Sequence, residues 1–87
     1  MSGYRVRLAR HAGKQVEDLP TQVRGRVVAA LQAIRVEPTL GTKLRGQFHG
    51  SRRYRVGDYR IVYQVIERER LILIENIRHR GRAYRGR

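Results

Sequence analysis

The run Tyr54-Arg55-Val56-Gly57-Asp58-Tyr59-Arg60-Ile61-Val62-Tyr63 sets two alternating segments on either side of a Gly-Asp dipeptide. β-branched and aromatic residues flanking a glycine-first pair predict a hairpin closed by a two-residue type II′ turn. With Gly57 and Asp58 in the loop, Val56 faces Tyr59, Arg55 faces Arg60, Tyr54 faces Ile61 and Arg53 faces Val62. Side chains alternate along a strand, so Tyr54, Val56, Tyr59, Ile61 and Tyr63 share one face. That face is apolar and aromatic and is expected to pack on helices. Arg53, Arg55 and Arg60 share the other. Like charges directly opposite one another destabilise a hairpin by an amount on the order of 0.2–1 kcal/mol. A sequence selected for folding alone gains from Glu or Thr at such positions. Salt screens a solvated face, yet three convergent guanidiniums have the form of a phosphate cradle.

Outward from the hairpin the chain reads as alternating segments without repeats. Tyr4, Val6 and Leu8 alternate with Arg5 and Arg7, the period of a half-buried strand. Ala12, Val16 and Leu19 recur at helical spacing, predicting a short helix from Arg10 to Leu19. Pro20 opens a longer helix, where its fixed φ is harmless. Val23, Val27, Ala30, Leu31 and Ile34 form the apolar stripe of that helix. Gly25 weakens it by roughly 1 kcal/mol relative to alanine, and Pro38 ends it by disfavouring helical geometry at Glu37. Thr39 to Ser51, with Gly41, Gly46 and Gly50, reads as loop. Strands follow at Arg53–Val56 and Tyr59–Ile66, then a charged turn at residues 67–70 and a strand from Leu71 to Ile77. The basic segment 78–87 has no order that composition decides. The order β-α-α-β-β-β predicts an α+β fold, an antiparallel-rich four-stranded sheet with the two N-terminal helices on one face.

Composition narrows the function. Eighty-seven residues, 40% of them hydrophobic, make one domain, 1–87, with one modest core. There are 20 Lys+Arg against 7 Asp+Glu, a net charge of +13, and every cation but Lys14 and Lys43 is arginine. Such a charge repels itself and is most easily tolerated where a polyanion or an acidic partner neutralises it. Arginine's planar donor fork suits phosphate. The absence of cysteine excludes disulfides, thiolate metal sites and thiol nucleophiles. No apolar run approaches the roughly 18 residues of a membrane span, and no secretory-type leader is visible. Together these point to the cytoplasm. Glu67, Glu69 and Glu75 are not spaced as metal ligands, Ser51 has no histidine at motif spacing, and no phosphate loop occurs. His11 and His49 stand without evident partners.

Lys43-Leu44-Arg45-Gly46, the block Tyr54–Tyr63, and His79-Arg80 followed by Tyr84 resemble the RelE/ParE toxin superfamily over nearly the whole chain. That resemblance implies a toxin of a type II toxin–antitoxin system with the RelE-like fold. RelE-like members are mRNA interferases acting on the ribosome; ParE-like members poison DNA gyrase. The RelE-like branch uses a basic pair on the first hairpin strand, matched by Arg53 and Arg55, and an arginine on the second, matched by Arg60. Near its C-terminus it uses an arginine and a tyrosine, matched by Arg80 and Tyr84. Arg55, Arg60, Arg80 and Tyr84 are thereby the expected catalytic set, and Arg53, Arg55, Arg60, Arg45 and Lys43 the expected phosphate contacts. Metal-independent attack of the 2′-OH on the adjacent phosphate needs a base, cations for the developing charge and an acid for the leaving oxygen. Arginine, with a pKa above about 12, is a poor base, so the base stays open. His79 is a further candidate, as imidazole titrates near neutrality. The expected partners are a cognate antitoxin and mRNA on the ribosome with its rRNA, without membrane, metal or small-molecule cofactor. A gyrase-directed toxin and a non-catalytic basic RNA-binding module are the alternatives.

Overall fold

The computed structural model describes residues 3–46 and 50–79. Its elements run β1 (Arg5–Leu8), α1 (Arg10–Glu17), α2 (Thr21–Val36), a 3-10 turn (Pro38–Leu40), β2 (Thr42–Lys43), β3 (Ser51–Val56), β4 (Tyr59–Ile66), a second 3-10 turn (Glu67–Glu69) and β5 (Leu71–His79). The fold is α+β. The described sheet has five strands in the order β1-β5-β4-β3-β2, with β1 parallel to β5 and every other pair antiparallel.

Both helices cover one face. Ala12, Leu19, Val27, Ala30, Leu31 and Ile34 meet Ile61, Tyr63, Ile72, Ile74 and Ile77 in a single buried cluster, with Tyr54, Val56 and Tyr59 packed against it. The apolar stripe of α2 and the aromatic face of the hairpin are thus the two halves of one core. The helices start and stop for local reasons. Pro20 immediately precedes α2 with φ −57°, and Glu37, forced from helical geometry by Pro38, stands at φ −133°. Between the helices, the Arg24 guanidinium donates to the carbonyls of Val16, Glu17 and Leu19. It thereby satisfies acceptors that the end of α1 leaves without intrahelical donors.

The hairpin has the expected register: Arg55 opposite Arg60, Val56 opposite Tyr59, Tyr54 opposite Ile61. Gly57 takes φ +59°, the first-position geometry of a type II′ turn, which a side chain disfavours. Three boundaries differ from the sequence expectation. Thr42–Lys43, expected in a loop, forms an edge strand on Arg53 and Arg52, so the sheet has five strands rather than four. β3 begins at Ser51. β5 runs past Ile77 to His79, in register with Tyr59.

Tyr63 explains the extra strand. Its ring is fully buried, and its hydroxyl donates to the Pro38 carbonyl and accepts from the Gly41 N–H, both at 2.8 Å. A Cβ on Gly41 would lie 2.7 Å from that hydroxyl and 3.0 Å from the Arg53 carbonyl oxygen. Glycine therefore lets the chain close down on β3, and Thr42 and Lys43 pair as a result.

Candidate nucleic-acid interface

Directly opposed residues of an antiparallel ladder project to the same face. On the face away from the helices, Arg55 of β3 lies opposite Arg60 of β4, and Arg60 lies opposite Arg78 of β5. Three guanidinium-bearing positions thus form one row across three strands. In the next row Arg53 is opposite Val62 and Val62 opposite Asn76. Ser51 faces Gln64 in the third. A groove of about 540 Å³ runs over these rows, lined among others by Arg53, Arg60, Arg78, Asn76, Gln64 and Glu75. Leu44 and His11 form part of its wall. Glu75, at the other end of the groove, accepts from Ser51 and Gln64.

The ladder of β4 and β5 shifts register between Val62 and Tyr63: Val62 pairs with Asn76 but Tyr63 with Ile74. Glu75 is the extra residue of a β-bulge. Successive strand residues ordinarily point to opposite faces, yet Glu75 and Asn76 both line the groove. β1 reaches only as far as Ile74. Beyond it, α1 lies beside β5, where Gln15 accepts the Ile77 backbone N–H at 2.8 Å and reaches Asn76 at 3.5 Å. The first helix thereby satisfies one backbone donor that β5 keeps where β1 has ended.

The structure brings Arg53, Arg55 and Arg60 to one face, as their alternation predicts. It sets other candidates apart. Lys43 is in register with Arg52, which pairs with the core residue Tyr63 and donates to the Gly41 carbonyl; Lys43 therefore belongs to the helix face. Arg45 follows β2, exposed and away from the groove lining. His79 is in register with Tyr59 and packs edge-on against its ring, centroids 5.0 Å apart at 82°, on the opposite side of the sheet from Arg60. Arg80 and Tyr84 lie outside the described residues. Sequence reasoning missed Arg78, Glu75, Asn76, Gln64 and His11 as groove residues. Extending β5 by two residues opposite the known strand β4 would have found Arg78; the bulge that turns Glu75 leaves no compositional mark.

The model of the family described as the ParE toxin of the type II toxin–antitoxin system parDE matches residues 6–84. The chain belongs to this toxin family. Its fold is similar to solved toxin–antitoxin structures of the RelE type. One is a chain of the RelBE2 complex from Mycobacterium tuberculosis, 29% identical, with TM-score 0.82 over 90% of this chain and 99% of that one. The archaeal RelE–RelB complex from Pyrococcus horikoshii OT3 is 30% identical, with TM-score 0.78 over 92% and 98%. The intact E. coli RelBE complex is 25% identical, with TM-score 0.77 over 85% and 93%. No curated protein matches the chain in sequence. This protein is therefore a type II toxin of the RelE/ParE superfamily. Among the described residues, no helix of this toxin is long and apolar enough to cross a membrane.

Proposed function

We propose that this toxin is a ribosome-dependent mRNA endonuclease that arrests translation in the cytoplasm. The observation that carries the reading is the Arg55–Arg60–Arg78 row on the open face, bordered by a groove. Only an anionic ligand makes such crowding favourable. A guanidinium row accepts phosphate through paired N–H donors and stabilises the charge that grows on a pentacoordinate phosphorus. In the proposed reaction the 2′-hydroxyl loses its proton and its oxygen attacks the adjacent phosphorus. The 5′-oxygen leaves with a proton, giving 2′,3′-cyclic phosphate and 5′-hydroxyl ends. Arg60 and Arg78 hold the phosphate, with Arg53 and Arg55 guiding the strand towards them. Arg80 and Tyr84, which the family resemblance assigns to charge stabilisation and to stacking or proton transfer, complete the proposed site. Its chemistry requires no metal.

The similar solved structures are toxin–antitoxin complexes, and we extend that partner to this chain. A cognate antitoxin with an acidic or amphipathic segment would fold over the helices or the basic face as it binds.

The match to a ParE-named family model favours a second reading, a gyrase poison acting by protein binding. One experiment separates the two. Purified toxin is added to ribosomes programmed with a defined message and, in parallel, to a gyrase supercoiling assay. Cut message bearing 5′-hydroxyl ends, with supercoiling intact, is the expected outcome. Blocked supercoiling with intact message contradicts it, and salt-sensitive RNA binding with neither effect leaves only a non-catalytic RNA-binding module.

A further inference from the structure

Opposite in character to the arginine row, the other end of the groove is built from hydrogen-bond acceptors held in place. Ser51, 6% exposed, donates its hydroxyl to one Glu75 carboxylate oxygen at 2.9 Å, and the Gln64 amide donates to the other at 2.7 Å. A carboxylate carries about four lone-pair sites, so each oxygen keeps one for a ligand. Glu75 is the one carboxylate that lines the groove among the described residues, and its partners there are a neutral hydroxyl and a neutral amide rather than any of the arginines. A bulge brings it there, and bulges re-aim side chains beside functional sites. A regular strand with an apolar residue would close the same sheet without interrupting its ladder.

We propose that Ser51, Glu75 and Gln64 form a base-reading subsite that favours amino-bearing nucleobases over uracil. The inference rests on the reading that the groove takes RNA. Arg60 and Gln64 are four residues apart on β4, roughly 13 Å at the usual strand rise. That separation sets the carboxylate apart from a phosphate held by Arg60 and Arg78, on the scale of the span from a nucleotide's phosphate to the edge of its base, with Arg53 in the row between. A fixed carboxylate also repels phosphate, so the backbone lies at the arginine end and the base at the Glu75 end. Single-stranded RNA is read on unstacked base edges. Adenine, cytosine and guanine each offer an exocyclic amine to a carboxylate, the pairing by which Glu accepts from cytosine. Uracil offers two carbonyl oxygens around a single N–H, and those oxygens face the carboxylate as like charge.

The test uses purified full-length toxin and programmed ribosomes, with messages carrying A, C, G or U at each position near the cut. Cut sites are sequenced, and the base ratio at each position is normalised to total cleavage. The toxin should disfavour uracil about tenfold at one fixed position relative to the cut, the discrimination of a good base contact. Glu75→Gln, which exchanges one acceptor for a donor, should bring that ratio towards parity. Ser51→Ala, which frees the carboxylate from one tether, should reduce the ratio in part and serves if Glu75→Gln fails to fold. Equal use of uracil by the toxin, or an unchanged ratio in the folded variants, overturns the subsite and leaves the endonuclease standing. Absence of any cleavage by the toxin overturns both.

Discussion

Arg60 lies between Arg55 and Arg78, each directly opposite it on a neighbouring strand. Removing its charge relieves two like-charge pairs, each on the order of 0.2–1 kcal/mol before salt screening. Its aliphatic stem, half-buried in the sheet, offsets part of that gain. Arg60→Ala should therefore leave the thermal midpoint unchanged or higher while abolishing growth arrest on expression and preserving the antitoxin complex. Arg80→Ala should likewise relieve arrest and retain the complex. A midpoint several degrees lower in Arg60→Ala would make Arg60 a structural residue. The convergence of Arg53, Arg55 and Arg60 was legible in sequence because a two-residue loop fixes register and side chains alternate with period two. Arg78 was not, because an arginine in an Arg- and Gly-rich run has the composition of a tail. His79 follows the same parity: opposite Tyr59, it can only share the helix face.

At the scale of elements, the most consequential contact is Tyr63 with the turn before β2. Tyr63→Phe leaves the Pro38 carbonyl and Gly41 N–H without their partner, which should lower stability by about 1–3 kcal/mol in chemical denaturation. Gly41→Ala pushes a methyl into the same hydroxyl and into the β3 backbone, and should destabilise comparably. Burial raises the Tyr63 hydroxyl above its ordinary value of 10.0. The folded state thus holds this proton more tightly than the unfolded chain does. Its contribution is complete below pH 10 and is lost as pH climbs through the raised native value. Tyr63→Phe should remove that alkaline loss; an identical pH profile in both proteins would contradict it. The longer elements were legible because each repeats its period several times. β2 was not, since two residues cannot alternate, and its pairing is set by a tyrosine 20 residues away in the sequence, not by its own composition. The Glu75 bulge was illegible for a related reason: an extra strand residue changes facing, not composition.

For the whole molecule, the fold sorts 20 basic against 7 acidic residues between two faces of the sheet. The helix face keeps Arg24 and Arg52 for carbonyls, while the open face gathers Arg53, Arg55, Arg60 and Arg78. Neutralising phosphates releases counterions, with a slope of about −0.7 in log affinity against log salt per contact on single strands. Four such contacts give a slope of about −3 for single-stranded RNA, and each Arg→Ala change in the set should reduce its magnitude by about 0.7. Fluorescence anisotropy across a salt series measures this; slopes that do not respond to the substitutions would place RNA elsewhere on the surface.

The most direct test maps the 5′ ends of cellular messages after expression of the toxin, of Arg60→Ala and of Arg78→Ala, each confirmed folded by antitoxin binding. New 5′-hydroxyl ends within translated regions are expected for the unaltered toxin, and their loss in both variants. New ends at undiminished frequency in both variants, or growth arrest by the toxin with messages intact, would contradict the endonuclease reading.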